Sequence, residues 1–153
     1  MWIEVLLVED NAGDARLMHE ILRETNKIAR LHLVTDGADA IEFLERRGPY
    51  VDAPRPDIIL LDLNLPKVSG LEVLARVKED ASLKTIPLIV LTTSKSAVDF
   101  VNSYQLLANC YLTKPSRLKE FEDLVVSLND FWLTKVALPQ QAGADDRPAE
   151  SRI

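Results

Sequence analysis

The sequence predicts a doubly wound α/β domain built on a five-stranded parallel sheet. Three observations predict it. Short apolar runs alternate five times with segments whose apolar residues recur at helical spacing. Two of the runs, Ile58-Ile59-Leu60-Leu61 and Leu88-Ile89-Val90-Leu91, are apolar without interruption, the mark of strands buried on both faces. Each run is joined to the next by a stretch long enough for a parallel crossover.

The elements follow in order. Ile3 to Val8 is the first strand and ends in Glu9-Asp10-Asn11. After Ala12-Gly13-Asp14 a helix carries Leu17, Met18, Ile21 and Leu22 on one face. Leu31, Leu33 and Val34 form a second strand, with His32 interleaved. Asp36 is positioned to cap a second helix marked by Ala40, Ile41, Phe43 and Leu44. Pro49 to Pro56 holds three prolines and reads as a loop. The third strand is Asp57 to Leu61, and the third helix starts near Ser69 or Gly70 with Leu71, Val73, Leu74 and Val77 inward. The fourth strand is Leu88 to Leu91. The loop from Thr92 to Ser96 leads to a weaker helix through Val98, Val101, Tyr104 and Leu107. Cys110 to Leu112 is the fifth strand. Thr113 to Ser116 is a turn, and Ser116 is placed to cap a last helix with Phe121, Leu124, Val125, Leu128, Phe131 and Trp132. We expect one domain over residues 1–138 and a loosely held polar tail over 139–153.

Composition narrows the function classes. The 153 residues carry a net charge of −6 and no basic stripe, which argues against nucleic acid and anionic membrane surfaces as partners. A lone cysteine, Cys110, excludes an intrachain disulfide and a multi-cysteine metal site. No basic segment precedes an early apolar stretch, and no apolar run has membrane-spanning length, so the expected setting is the cytoplasm. His19 and His32 lack metal-ligand spacing and read as surface or packing residues.

Four strands end in polar residues: Glu9 and Asp10, Asp62, Thr92, and Lys114. In a doubly wound sheet these ends share one rim, where ligands bind. Two like charges about 4 Å apart repel by roughly 4 kcal/mol at an effective dielectric of 20, so the three acids call for a cation. Hard oxygen ligands favour Mg²⁺, with Mn²⁺ or Ca²⁺ as substitutes. A carboxylate beside such an ion can act as a nucleophile toward phosphorus. The ammonium of Lys114 and the hydroxyl of Thr92 would then neutralise the transferred group.

The motifs "LLVEDN", "DIILLDLNLPKVSGLEVL", "IPLIVLTTS" and "YLTKP" resemble the response-regulator receiver domain of two-component signalling. The resemblance implies a flavodoxin-like (βα)5 fold with strand order 2-1-3-4-5. It implies that Asp62 is the phosphoacceptor for a histidine kinase and that Asp10 is a direct Mg²⁺ ligand. Glu9 would act through water and Asn64 through its backbone carbonyl. Thr92 would be the switch hydroxyl, Tyr111 the switch aromatic and Lys114 the phosphate-binding lysine, preceding a cis bond to Pro115. Two positions depart from the common pattern. The acid pair is Glu-Asp, and Thr93 stands where many members have Ala, which would slow water entry and dephosphorylation. "VEDNAGDARLMHEIL", the proline-containing loop and "FWLTKVALP" look like single-domain regulators paired with phytochrome-type histidine kinases.

The expected function is therefore a phosphorylation-controlled binding module rather than a metabolic enzyme. An aspartate-nucleophile phosphatase or phosphotransferase would want an acid where Asn64 stands. A flavin or nucleotide binder would be repelled by Glu9-Asp10, and an unphosphorylated scaffold would not need the full residue set. The apolar stripe of the last helix continues past the expected core to Val136 and Leu138. It points to a symmetric homodimer using the last two helices, the fifth strand and this extension, with Phe131, Trp132 and Val136 at the interface.

Overall fold

A computed structural model describes residues 2–26, 29–93, 108 and 110–132. The chain runs β1 (Ile3–Val8), α1 (Ala12–Thr25), β2 (Ala29–Val34), α2 (Gly37–Glu45), a 3₁₀ turn (Gly48–Tyr50), β3 (Ile58–Leu61), α3 (Gly70–Glu79), β4 (Leu88–Thr92), β5 (Cys110–Thr113) and α4 (Leu118–Trp132). The strands form one sheet in the order β2-β1-β3-β4-β5, and every pairing is parallel. The predicted helix through Val98 to Leu107 lies outside the described residues, as do Val136 and the predicted tail.

The sheet divides the core in two because successive strand residues face opposite sides. Leu6 and Val8 of β1, Ile59 and Leu61 of β3, and Leu88 and Val90 of β4 face α2 and α3, meeting Ile41, Phe43, Leu74 and Val77. Val5, Leu7, Ile58, Leu60, Ile89 and Leu91 face α1 and α4, meeting Met18, Leu22, Phe121 and Val125. Burial on both faces explains why β3 and β4 have no alternation. β2 closes one edge of the sheet and is only partly covered, with Leu33 49% exposed.

The helix starts are set by side chains. The Asn11 carboxamide oxygen accepts from the Asp14 N–H at 2.9 Å, so α1 begins at Ala12, ahead of the predicted segment. Asp36 accepts from the Asp39 N–H at 2.8 Å, and Ser69 accepts from the Glu72 N–H at 3.3 Å. The proline-containing loop is tied down by Arg55, which donates to the Ser82 carbonyl at 2.7 Å and the Thr85 hydroxyl at 3.0 Å. Asp57 lies one residue before β3. Its carboxylate accepts from the Glu4 N–H at 2.8 Å, and its own N–H donates to the Glu4 carbonyl at 2.7 Å. The edge of β3 is thereby fixed against β1, which brings the far end of β3 level with the end of β1.

Candidate phosphoryl and metal site

That levelling is visible in the register. Val8 pairs with Leu61, and Leu61 with Val90. Asp62 follows directly, and its N–H donates to the Val8 carbonyl at 3.0 Å. Glu9 is held likewise by its N–H on the Val34 carbonyl at 3.0 Å. Lys114 follows β5 and donates its backbone N–H to the Thr92 carbonyl at 2.7 Å. The sheet ladder thus delivers Glu9 and Asp62 one step past the last paired apolar residue and Lys114 one step past the paired Thr113.

At the rim the side chains converge. The Lys114 ammonium donates to Glu9 Oε1, to Asp62 Oδ2 at 3.2 Å and to Asp14 Oδ2 at 3.1 Å. The second oxygen of Asp62 accepts from the Asn64 N–H at 3.0 Å. Glu9 Oε2 accepts from the Asn11 N–H at 3.2 Å. Glu9, Asp62, Thr92 and Lys114 are buried, whereas Asp10 is exposed. Burial pushes the Glu9 carboxyl up to about 7; the Lys114 hydrogen bond opposes the shift and Asp62 adds to it. Burial would lower the Lys114 ammonium, but the hydrogen bond and charge of Glu9, aided by Asp62 and Asp14, outweigh it and raise it.

The donor set fits a hard divalent cation. Glu9, Asp10 and Asp62 each offer a carboxylate oxygen, and these oxygens lie within 4.8 Å of one another. With Asp14 beside them, four carboxylates face the single ammonium of Lys114, an excess of negative charge that a divalent ion would offset.

Residues 5–126 match the family described as the response regulator receiver domain. The chain belongs to that family. It is similar to the response regulator Rcp1 of Synechocystis sp. (strain ATCC 27184 / PCC 6803 / Kazusa), 47% identical over 135 residues, covering 88% of this chain and 92% of Rcp1. The crystal structure of the Mn²⁺-bound form of Rcp1 superposes with a TM-score of 0.84 at 47% identity, covering 89% of this chain and 98% of that one. The phosphorylated cyanobacterial phytochrome response regulator RcpA gives a TM-score of 0.85 at 44% identity, covering 91% and 99%. The flavodoxin-like fold and strand order expected of a receiver domain are those observed.

The remaining expected residues fall as follows. Thr92 ends β4, beside the strand that carries Asp62. Tyr111 lies in β5, half-buried against the α2–α3 face, and its hydroxyl accepts from the Ala108 N–H. Asn64 is exposed and meets the site through its backbone N–H. The Lys114–Pro115 bond is trans, against the expectation of a cis bond, because no described peptide bond is cis. The Lys114 N–H extends the β4–β5 ladder to Thr92, and from there the side chain already reaches the acids. Phe131 is 55% exposed near the end of α4, while the Trp132 side chain and Val136 lie outside the described residues.

Asp14 escaped the sequence reading. It sits in the first turn of α1, one turn beyond Asp10, a position that reads as ordinary helix-start acidity. No described helix is long and apolar enough to cross a membrane.

Proposed function

We propose that this receiver domain is a single-domain response regulator that takes a phosphoryl group from a phytochrome-type histidine kinase onto Asp62. In this reading an Asp62 carboxylate oxygen attacks phosphorus on the kinase phosphohistidine. A P–O bond forms as the P–N bond breaks, and its electron pair stays on the imidazole nitrogen, which takes a proton from solvent. The observation that carries the reading is the convergence of Lys114 on Asp62 and Glu9 beside oxygens spaced for a divalent ion.

Asn64 holds one oxygen of Asp62 through its N–H and so orients the other. Lys114 supplies a positive charge to the transferred group, and the neutral hydroxyl of Thr92 donates a hydrogen bond to it. Glu9, Asp10 and Asp62 would hold Mg²⁺, with the Asn64 carbonyl as a further ligand. Bound there, Mg²⁺ neutralises charge on the phosphoryl oxygens. Thr92 and Tyr111 form the coupling from the site to the α2–α3 side. The protein assists its own phosphorylation and hydrolysis and is otherwise a signalling module, not a metabolic enzyme. Likeness to the cyanobacterial phytochrome regulator RcpA supports the kinase class. The domain spans residues 1–138 with a polar tail over 139–153, in a cytoplasmic setting and without nucleic acid.

The test is incubation with Mg²⁺ and phosphoramidate, read by intact mass. One phosphoryl adduct is expected on the wild type and none on Asp62→Asn. An adduct of equal yield on Asp62→Asn would overturn the assignment.

A specific observation favours assembly as part of the output. Leu118, Val126 and Phe131 are exposed along α4. They support a homodimer through the last helices, with Phe131, Trp132 and Val136 contributing. Sedimentation of Phe131→Glu should show a monomer, and a persisting dimer would remove Phe131 from the interface.

A further inference from the structure

An ammonium has three N–H donors. On Lys114 three carboxylates meet them: Glu9, Asp62 and Asp14. Asp62 Oδ2, once bonded to phosphorus, passes its donor to the phosphoryl group, and Lys114 can give that group a second hydrogen bond only if Glu9 or Asp14 gives way. The three differ in what release entails. The Glu9 side chain is 2% exposed and that of Asp62 8%, whereas that of Asp14 is 26% exposed. Glu9 released from Lys114 would be a buried carboxylate that has lost its ammonium, with a bound divalent ion as its remaining counter-charge. Asp62 releases its own contact when Oδ2 takes the phosphoryl group, so the comparison lies between Glu9 and Asp14. Asp14 alone can exchange the ammonium for water. Its place in the first turn of α1 also gives the freed charge a second favourable setting, facing the positive end of the helix.

We propose that Asp14 is the exchangeable acceptor of Lys114. It is a positioning residue that holds the ammonium over the site at rest and yields it to the phosphoryl group. The helix start does not depend on the Asp14 carboxylate, because the cap is made by the Asp14 backbone N–H on Asn11. The inference rests on the reading of Asp62 as phosphoacceptor.

The experiment compares phosphorylation by phosphoramidate at saturating Mg²⁺ in the wild type, Asp14→Asn, Asp14→Glu and Asp62→Asn, with Asp14→Asn repeated in a Lys114→Ala background. Urea unfolding establishes that each variant is folded. Asp14→Asn removes a competitor for Lys114, so its rate should rise about two- to fivefold, the range for one partly exposed ion pair. Asp14→Glu should return near the wild-type rate. The gain should vanish when Lys114 is absent, as the two residues act through one contact. An unchanged or slower Asp14→Asn, or the same acceleration without Lys114, would overturn the role of Asp14 and leave Asp62 intact. An adduct on Asp62→Asn would instead remove the phosphoacceptor reading, and the role of Asp14 with it.

Discussion

The backbone carbonyl of Val68 rests against Gly37, so closely that a β-carbon on Gly37 would stand 1.9 Å from the Val68 oxygen. Val68 belongs to the loop after Asp62, and Gly37 opens α2. The loop that orients the site is therefore seated on the first turn of a helix. A charge contact adds to it, Lys67 to Asp36 at 3.5 Å, with Lys67 at φ +64°.

Gly37→Ala tests that seat. By helix propensity the change would stabilise α2 by about 1 kcal/mol. The contact with Val68 reverses the sign, because backbone must shift, and overpacking costs about 1–3 kcal/mol. We expect a net loss of stability in urea unfolding together with slower phosphorylation. A gain in stability would show that the loop yields freely.

Lys114→Ala separates the charges of the site from their cation. Glu9 and Asp62 then face each other without the ammonium, and breaking such a buried pair costs about 3–5 kcal/mol. We expect a loss near the lower end of that range in metal-free buffer. Mg²⁺ should restore the variant more than it stabilises the wild type. A metal-free variant as stable as the wild type would contradict the charge balance described.

Glu9 gives the site a pH dependence. Its folded value of about 7 lies above the usual 4.5, so the folded protein binds the extra proton across that interval. The Glu9 contribution to metal-free stability is therefore fully present below about 4.5 and is lost as pH rises through about 7. A cation at Glu9 needs the ionised form, so stabilisation by Mg²⁺ should grow over the same interval. Thermal melts at acidic and neutral pH, with and without Mg²⁺, check both trends. A Mg²⁺ effect that stays level across the interval would exclude Glu9 from metal binding.

Asp36 has the opposite sign. The Asp39 N–H is the largest influence holding its carboxyl below the ordinary value, ahead of the opposing effect of burial. Its contribution is present above the ordinary carboxylate range and is lost as pH falls through the depressed value. Asp36→Ala should cost about 1 kcal/mol at neutral pH through loss of the α2 cap. The penalty should shrink in acid, as urea unfolding at two pH values would record.

Much of this architecture can be read locally. β3 and β4 announce themselves because burial on both faces demands uninterrupted apolar residues, and the rim follows because polar residues begin where pairing ends. Asp36 is visible as a cap because its partner lies three residues on. Asp57 reads as part of a strand because its bond to Glu4 spans 53 residues. Asp14 is hidden for the same reason, its partner Lys114 lying 100 residues away. The trans bond before Pro115 depends on how β5 hands Lys114 to the site, which no local pattern records.

The strand order has a bearing on how the molecule comes together. β1 is central, with β2 and β3 on its flanks, and β4 and β5 add outward from β3. In order of synthesis, Glu9, Asp10 and Asp62 emerge with the first three strands, well ahead of Lys114. β2, β1 and β3 by themselves would gather the acids without that counter-charge. Docking of β5 then completes the sheet edge and brings in the only ammonium that bonds to Asp62 among the described residues. The last strand in the sequence thus both completes the sheet edge and supplies the acids with the ammonium that offsets part of their charge.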